Sequence, residues 1–157
     1  MLHQIQISAQ RYKSLQFSES KLLESFAVLE TVADFSVPPG ELSIVFLSDD
    51  AISQLHGNYL QDPTPTDVIT FPGDPAMDFA GEICVSVDHA IAGSQQHATP
   101  FAEELTLYIV HGYLHLAGLD DIEETDRLHM RAAEAAVMQQ LRDHAAIPDF
   151  RLEQNDA

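Results

Sequence analysis

The sequence has few of the features that mark secreted or membrane-bound proteins. Cys84 is the only cysteine among 157 residues, so no intrachain disulfide can form. We expect a reducing, cytoplasmic location and no disulfide-linked partner. No apolar run approaches the roughly 20 residues of a membrane helix, and the start of the chain lacks the regions of a secretory signal. We therefore expect a soluble intracellular protein that does not act at a membrane.

Basic residues are the second scarcity. Seven Lys and Arg stand against 25 Asp and Glu, a formal net charge of −18, and no basic residue lies between Lys21 and Arg127. A surface this negative repels polyanions, which argues against a protein that coats duplex nucleic acid or an anionic membrane. Taken alone, the formal charge argues against any nucleic-acid partner.

Hydrophobic periodicity divides the chain into strands and helices of one domain. Strands are predicted where apolar residues alternate or form short runs. These segments are residues 2–8, 41–47, 67–72 and 82–87. Helices are predicted where apolar residues recur at steps of three and four. These segments are residues 20–33, a stretch after 48, 88–96, 100–117 and 123–144. The pattern predicts an α+β fold, with a small mixed four-stranded sheet and about five helices within residues 1–147 and a loose acidic tail at 148–157.

Helix starts and faces can also be predicted. Ser48 is a predicted N-cap, and Thr99 is another, with Pro100 at the first helical position. The helix at 100–117 is apolar nearly all round, which predicts a buried central helix. In the last helix, the predicted buried face consists of Leu128, Ala132, Ala135 and Met138.

The central helix carries a pattern typical of a metal site. His111 and His115 are four residues apart, so their imidazoles lie on one helix face, close enough to hold one ion. Gly118 permits a sharp turn, after which Asp121 can return as a third ligand. Two imidazoles and a carboxylate suit Zn²⁺ with a fourth position open for water. The sequence therefore predicts one catalytic Zn²⁺ per chain, held by these three residues.

Asp121 has two other interpretations. With Glu124 it fits a capping box at the start of the last helix, and the neighbouring Asp120 can supply the ligand instead. The spacing favours Asp121 as the ligand. The residue after His111 is Gly112 rather than the glutamate of an H-E-x-x-H protease. The helix therefore supplies no general base, and a metzincin-like metallopeptidase is disfavoured.

The sequence HGYLHLAGLDD at residues 111–121 resembles the H-G-x-L-H-L-x-G-x-D-H signature of the YbeY-type ribosomal RNA maturation family. Two other segments agree with it. TDVITFP at residues 66–72 resembles the family's T-D/N-V-L-S-F-P strand, and GEICVS at residues 81–86 resembles its G-D-I-x-I-S strand. The resemblance spans residues 42–138. It implies a small mixed sheet flanked by helices, a Zn²⁺ site and a single-strand-specific endoribonuclease role in small-subunit ribosomal RNA processing and ribosome quality control.

The sequence departs from this family pattern at three positions. The family's third metal ligand is a histidine where this chain has Asp121, which is compatible with zinc but lowers the Lewis acidity of the metal. Leu60 stands where the family has an arginine thought to hold the phosphate, and leucine offers none of the five donors of a guanidinium. Glu82 in place of the strand aspartate is a milder change.

Without that arginine, phosphate contacts are predicted at two hydroxyls and two guanidinium groups. These are Thr66, Thr70, Arg127 and Arg131. For the two arginines, the favoured interpretation is a solvated helix surface on which they pair with Glu123, Glu124 or Glu134. An acidic protein collects single-stranded ribosomal RNA poorly by long-range attraction, so docking through basic proteins of the small ribosomal subunit is expected. A catalytically weak, metal-binding ribosome-assembly factor of the same family is the alternative function.

Overall fold

A computed structural model gives the fold of most of the chain. The described residues are 3–8, 12–31, 35–60 and 66–153, with the side chains of residues 58–60 not included. The prediction about the Leu60 side chain therefore lies outside the described residues. No helix in the described ranges is long and apolar enough to cross a lipid bilayer.

The described residues form six strands and five α-helices. The strands are β1 (His3–Ser8), β2 (Leu15–Gln16), β3 (Gly40–Leu47), β4 (Val68–Asp74), β5 (Phe79–Ser86) and β6 (Arg151–Leu152). The α-helices are α1 (Glu19–Glu30), α2 (Asp49–Leu60), α3 (Val87–His97), α4 (Phe101–Leu116) and α5 (Glu124–Asp143). Four strands form one sheet in the order β1-β3-β5-β4, in which β4 runs antiparallel to β5 and the other neighbours are parallel. The predicted α+β fold with a mixed four-stranded sheet and five helices is confirmed.

Helix α4 is the buried central helix that the sequence predicted, and it packs against β4 and β5. Gly112 makes this contact possible, because a Cβ at this position would lie 2.6 Å from Cγ2 of Ile83 and 3.2 Å from Cγ2 of Thr70. A longer side chain would collide with the sheet, so a protease-type glutamate has no room at position 112. The close approach brings the histidines of the same helix alongside the edge strand β4.

One of the two predicted N-caps forms. The Ser48 hydroxyl accepts a hydrogen bond from the backbone N–H of Ala51 at 3.2 Å, as predicted. The prediction for Thr99 is wrong, because α4 begins after Pro100 and the Thr99 hydroxyl instead donates to Oε2 of Glu104 at 3.0 Å. A buried carboxylate needs donors more than an exposed helix end does, which explains the change of partner.

The predicted buried face of α5 is largely wrong. Met138 is buried as predicted, but Leu128, Ala132 and Ala135 are exposed. The buried residues of α5 are Met130, Ala133, Glu134, Val137, Met138 and Leu141. Alanines lie on both faces of this helix and do not discriminate between them, so the position of the larger side chains decides which face packs.

The prediction of a loose tail from residue 148 is wrong for its first part. β6 pairs with β2 in an antiparallel ribbon, and Phe150 is buried against Phe17 and Phe46, with ring centroids 5.3 and 5.6 Å away. Asp149 accepts hydrogen bonds from the backbone N–H and the hydroxyl of Ser18, at 2.7 and 2.9 Å, and the backbone bond is the main reason that the pKa of this carboxyl is lowered. Residues 149–152 are thus fastened to the start of the chain.

Candidate metal centre

Helix α4 and the loop that follows it bring three side chains to one point, here called the metal group: His111, His115 and Asp121. Nε2 of His111 and Nε2 of His115 lie 3.3 and 3.5 Å from the same oxygen, Oδ2 of Asp121. Ligand atoms from all three residues lie within 4.8 Å of one another. Among the described residues, this is the one group of three or more such side chains with metal-binding spacing. The structure therefore brings together the three ligands that the sequence predicted.

The turn after α4 selects which aspartate reaches the histidines. Gly118 has a φ of +104°, in the left-handed region that favours glycine, and its N–H donates to the carbonyl of His115. Asp121 then faces the two imidazoles. The Asp120 carboxylate instead accepts a hydrogen bond from the backbone N–H of Asp121, at 2.8 Å. Helix α5 begins after Glu123 without a side-chain cap, so the capping box considered for Asp121 does not form.

The second ring nitrogen of His111, Nδ1, contacts the buried carboxylate of Glu134. This nitrogen lies 3.1 Å from Oε1 of Glu134, a side chain on α5 that is 8% exposed. Burial lowers the pKa of the His111 imidazolium, but the hydrogen bond to Glu134 and the charges of Glu134, Asp67 and Asp121 outweigh this effect. The pKa of His111 therefore lies above its ordinary value.

The donor set of the metal group fits a cation. An ionised Glu134 can only accept a hydrogen bond, so Nδ1 of a neutral His111 carries the ring proton and Nε2 presents a lone pair. This lone pair and Oδ2 of Asp121 face each other at 3.3 Å, which is repulsive unless a positive charge lies between them. In a tetrahedral site with bonds of about 2.1 Å, neighbouring ligand atoms lie about 3.4 Å apart. The observed 3.3 and 3.5 Å agree with that spacing.

The metal group lies between two clefts. The β4 cleft has a volume of about 290 Å³, and its lining includes the metal group with His56, Thr66 and Thr70. The helical cleft lies between α3, α4 and α5, has a volume of about 610 Å³, and contains His111 and Asp121 with Arg127 and Arg131. The four side chains predicted to contact phosphate therefore flank the metal group, two in each cleft. Phosphate binding by them stays a prediction.

The ion pairs that the favoured interpretation predicted for Arg127 and Arg131 do not form among the described residues. Arg127 donates through Nη1 to the carbonyl of Ile122, at 2.8 Å. In the part of the chain that the structure describes, Arg131 is exposed and has neither a hydrogen bond nor an ion pair. Arg142, on the same helix, is paired with Glu103 at 2.7 Å. Of these three arginines, Arg131 is therefore the one whose guanidinium group has no protein partner, and it lines the helical cleft.

A second polar cluster lies in the helical cleft and was missed from the sequence. In this Glu104 cluster, the buried Glu104 carboxylate accepts hydrogen bonds from the Tyr108 hydroxyl at 3.1 Å and the Thr99 hydroxyl at 3.0 Å. His97 lies 3.4 Å from the same carboxylate. Burial, followed by the charge of Glu104, raises the pKa of Tyr108. The spacing of four residues between Glu104 and Tyr108 on one helix is the signal that could have revealed the pair.

Glu134 was also missed as a partner of His111. Its sequence signal is the position midway between Met130 and Met138, one helical turn from each, on the face of α5 that is buried. A charged residue in a buried stripe needs a partner, but the sequence does not say which residue, 23 positions away, supplies it.

Comparison with known proteins extends over nearly the whole chain. A family model described as Endoribonuclease YbeY matches residues 3–142. The protein named Endoribonuclease YbeY in Sinorhizobium fredii is 30% identical over 136 residues, covering 81% of this chain and 79% of that protein. Its namesake in Protochlamydia amoebophila is 43% identical over 106 residues, covering 65% and 71%.

One solved structure has a similar fold. The solution structure of TM1509 from Thermotoga maritima superposes with a TM-score of 0.60 at 26% identity, covering 91% of this chain and 95% of that one. The family match at residues 3–142 includes every residue of the metal group and of both clefts.

Proposed function

Because the chain belongs to the YbeY endoribonuclease family, we propose that it is a Zn²⁺-dependent, single-strand-specific endoribonuclease that acts in small-subunit ribosomal RNA maturation and ribosome quality control, in the cytoplasm. The observation that carries the zinc dependence is the metal group. Three ligand atoms converge within 4.8 Å of one another, and the two histidine-to-aspartate separations match those of a tetrahedral site. Three protein ligands leave the fourth position that a catalytic zinc needs.

His111, His115 and Asp121 would hold the ion through Nε2, Nε2 and Oδ2. When bound, Zn²⁺ supplies a water of lowered pKa and polarises a phosphoryl oxygen. The protein's own part is to position the substrate. Thr66 and Thr70 line the cleft on the β4 side of the metal group, and Arg127 and Arg131 line the cleft on the helical side.

Cleft size favours a single strand as the substrate. The volumes of about 290 and 610 Å³ are of the size of small-ligand sites, roughly 300–1,000 Å³. Such clefts admit individual unstacked nucleotides, and sequence-specific RNA recognition commonly uses unstacked bases in this way. A phosphate that crosses the metal group would have neighbouring nucleotides in the clefts on either side.

The net charge of −18 limits how this protein can associate with RNA, which is also negatively charged. Long-range attraction to RNA is excluded for most of this surface. We propose that the protein reaches the small ribosomal subunit by docking on basic ribosomal proteins, to which an acidic surface is complementary. Contact with RNA is then made locally, at the metal group and Arg131.

The alternative function is a catalytically weak, metal-binding assembly factor. The scarcity of cations around the metal group favours it: in the described part of the chain, Arg127 and Arg131 are the arginines that line the two clefts, and no lysine does. Arg127 is already hydrogen-bonded to a backbone carbonyl. Leu60 in place of the family's arginine points in the same direction.

Metal analysis followed by an RNA cleavage assay separates these functions. We expect about one zinc per purified chain, cleavage of single-stranded ribosomal RNA but not of a duplex of the same sequence, and loss of both zinc and cleavage in His111→Ala. Absence of stoichiometric zinc overturns the metal-dependent proposal. Zinc without cleavage favours the assembly factor. Equal cleavage by wild type and His111→Ala assigns the activity to a contaminant and overturns the proposed nuclease.

Arg131→Ala tests the local RNA contact, with Arg142→Ala as a matched control on the same helix. Each phosphate contact on a single strand contributes about 0.7 to the slope of log affinity against log salt. We expect Arg131→Ala to weaken RNA binding and to reduce this slope by about 0.7. Arg142, which is paired with Glu103, should be replaceable without that change. Equal salt slopes for the two variants would contradict the assignment.

A further inference from the structure

We propose that Glu134 is a positioning residue that keeps the ring proton of His111 on Nδ1 and so leaves Nε2 ready to bind the metal. The inference rests on the proposed metal site and assigns it a fourth protein residue, on a different helix, that does not touch the ion. It is carried by the hydrogen bond between Oε1 of Glu134 and Nδ1 of His111, at 3.1 Å.

Because Glu134 is buried, its carboxylate needs a hydrogen-bond partner, and His111 supplies it. The carboxylate lies on the buried face of α5, in line with Met130 and Met138, and its side chain is 8% exposed. Within the described residues, His111 is its only hydrogen-bond partner. Burying a charged carboxylate without a partner is strongly unfavourable. The ring N–H of His111 and the Glu134 carboxylate therefore depend on each other.

The contact also determines what His111 can do on its other side. The hydrogen bond at one ring nitrogen determines which nitrogen carries the proton. A neutral imidazole that is protonated at Nε2 cannot bind a metal through that atom. The apparent affinity of a site falls in proportion to the fraction of molecules in the competent form. By holding Nδ1 protonated, Glu134 keeps His111 in that form and increases the basicity of Nε2.

The two histidines differ in this respect. In the described part of the chain, Nδ1 of His115 has no hydrogen-bond partner, so no contact there holds the ring proton of His115 on Nδ1. Oε1 of Glu134 lies on the side of the His111 ring away from the metal group, and Glu134 does not belong to the set of converging ligand atoms. Glu134 thus acts through His111 and not as a ligand.

Glu104 offers a matched control. The side chains of Glu104 and Glu134 are 5% and 8% exposed, both carboxylates are hydrogen-bonded, and both line the helical cleft. Only Glu134 contacts a residue of the metal group. The variants are Glu134→Met, which keeps the volume but removes the acceptor, Glu134→Gln, which keeps an acceptor but removes the charge, and Glu104→Gln.

Two measurements test the proposal. In metal-free protein at alkaline pH, imidazole ¹⁵N chemical shifts should show His111 protonated at Nδ1 in wild type and in Glu104→Gln, and a mixture of tautomers in Glu134→Met. Zinc affinity, measured by competition with a chelator, should fall about 10- to 100-fold in Glu134→Met, by less in Glu134→Gln, and not at all in Glu104→Gln.

His111 protonated at Nε2 in the metal-free wild type would overturn the proposal, as would equal losses of zinc affinity in Glu134→Met and Glu104→Gln. If Glu134→Met does not fold, the tautomer in wild type and the zinc affinity of Glu134→Gln relative to Glu104→Gln decide the matter. Failure of the proposed function is distinguishable, since a wild-type protein that binds no zinc refutes that function while its His111 tautomer still tests the role of Glu134.

Discussion

Helix α4 carries two polar pairs at a spacing of four residues, and they differ in their balance of donors and acceptors. In the Glu104 cluster, the hydroxyl donors of Tyr108 and Thr99 meet a carboxylate acceptor. In the metal group, the Nε2 lone pair of His111 faces another acceptor, the Asp121 carboxylate, which also lies 3.5 Å from Nε2 of His115. In the Glu104 cluster, the donors and the acceptor satisfy each other without a ligand. In the metal group, acceptors face each other, and a bound cation would remove the repulsion between them. Excess acceptors, more than the presence of histidine or acid, distinguish the candidate metal site from a structural cluster.

The largest difference between the clusters should appear when a ligand of the metal is removed. His115→Ala leaves one imidazole and one carboxylate, too few protein ligands for a stable tetrahedral site. We expect zinc affinity to fall by more than the roughly 100-fold upper limit for loss of an outer partner, and RNA cleavage to fall with it. Metal analysis after dialysis and a chelator titration measure this effect. Retention of stoichiometric zinc would show that the metal group is not the site.

Tyr108→Phe should lower the stability of the protein and leave zinc binding unchanged, the opposite of the effect expected for His115→Ala. It removes a hydroxyl that donates to the buried Glu104 carboxylate, and hydrogen bonds to charged groups contribute about 1.5–3 kcal/mol. We expect the free energy of unfolding, from urea denaturation, to drop by about 1.5 kcal/mol both with and without zinc. The zinc-induced increase in stability, about 2.7 kcal/mol at a free zinc concentration of 100 times Kd, should be unchanged. A smaller zinc-induced increase in this variant would mean that the clusters are coupled.

The smallest expected effect is an increase in the stability of the metal-free protein, caused by Asp121→Asn. Asp121→Asn replaces an acceptor by an amide that can donate to Nε2 of the histidines. We therefore expect the metal-free protein to become more stable by about 0.5 kcal/mol, at the low end for a hydrogen bond because Asp121 is 42% exposed.

The same variant should lose zinc affinity, so urea denaturation with and without zinc measures both effects. Tyr108→Phe provides the comparison, since it destabilises both forms. A metal-free Asp121→Asn protein that is less stable than wild type would show that the acceptors of the metal group do not repel each other.

The parts of the structure that short-range pattern controls were predictable. The strands, the buried helix α4 and the His111, Gly118, Asp121 spacing all follow from residues within about ten positions of one another. Contacts across the fold were not predictable. Glu134, for example, contacts a histidine 23 residues earlier. One short-range prediction was also wrong, because the Thr99 hydroxyl donates to the Glu104 carboxylate, five residues later, instead of capping the helix. On α5, alanines lie on both faces, so only the positions of the larger side chains, such as Met130, Val137 and Leu141, indicate the buried face.

Pairing of β2 with β6 has a consequence for the order of folding. The bonds from Ser18 to Asp149 join residues 131 positions apart, whereas His111, Asp121 and Glu134 lie within one short stretch of chain. Closing a longer loop costs more conformational entropy, and contacts between distant residues form slowly. The contacts among these three residues can therefore form on the growing chain before Ser18 and Asp149 are joined. We expect the aromatic cluster around Phe150 to form late in the folding of this protein.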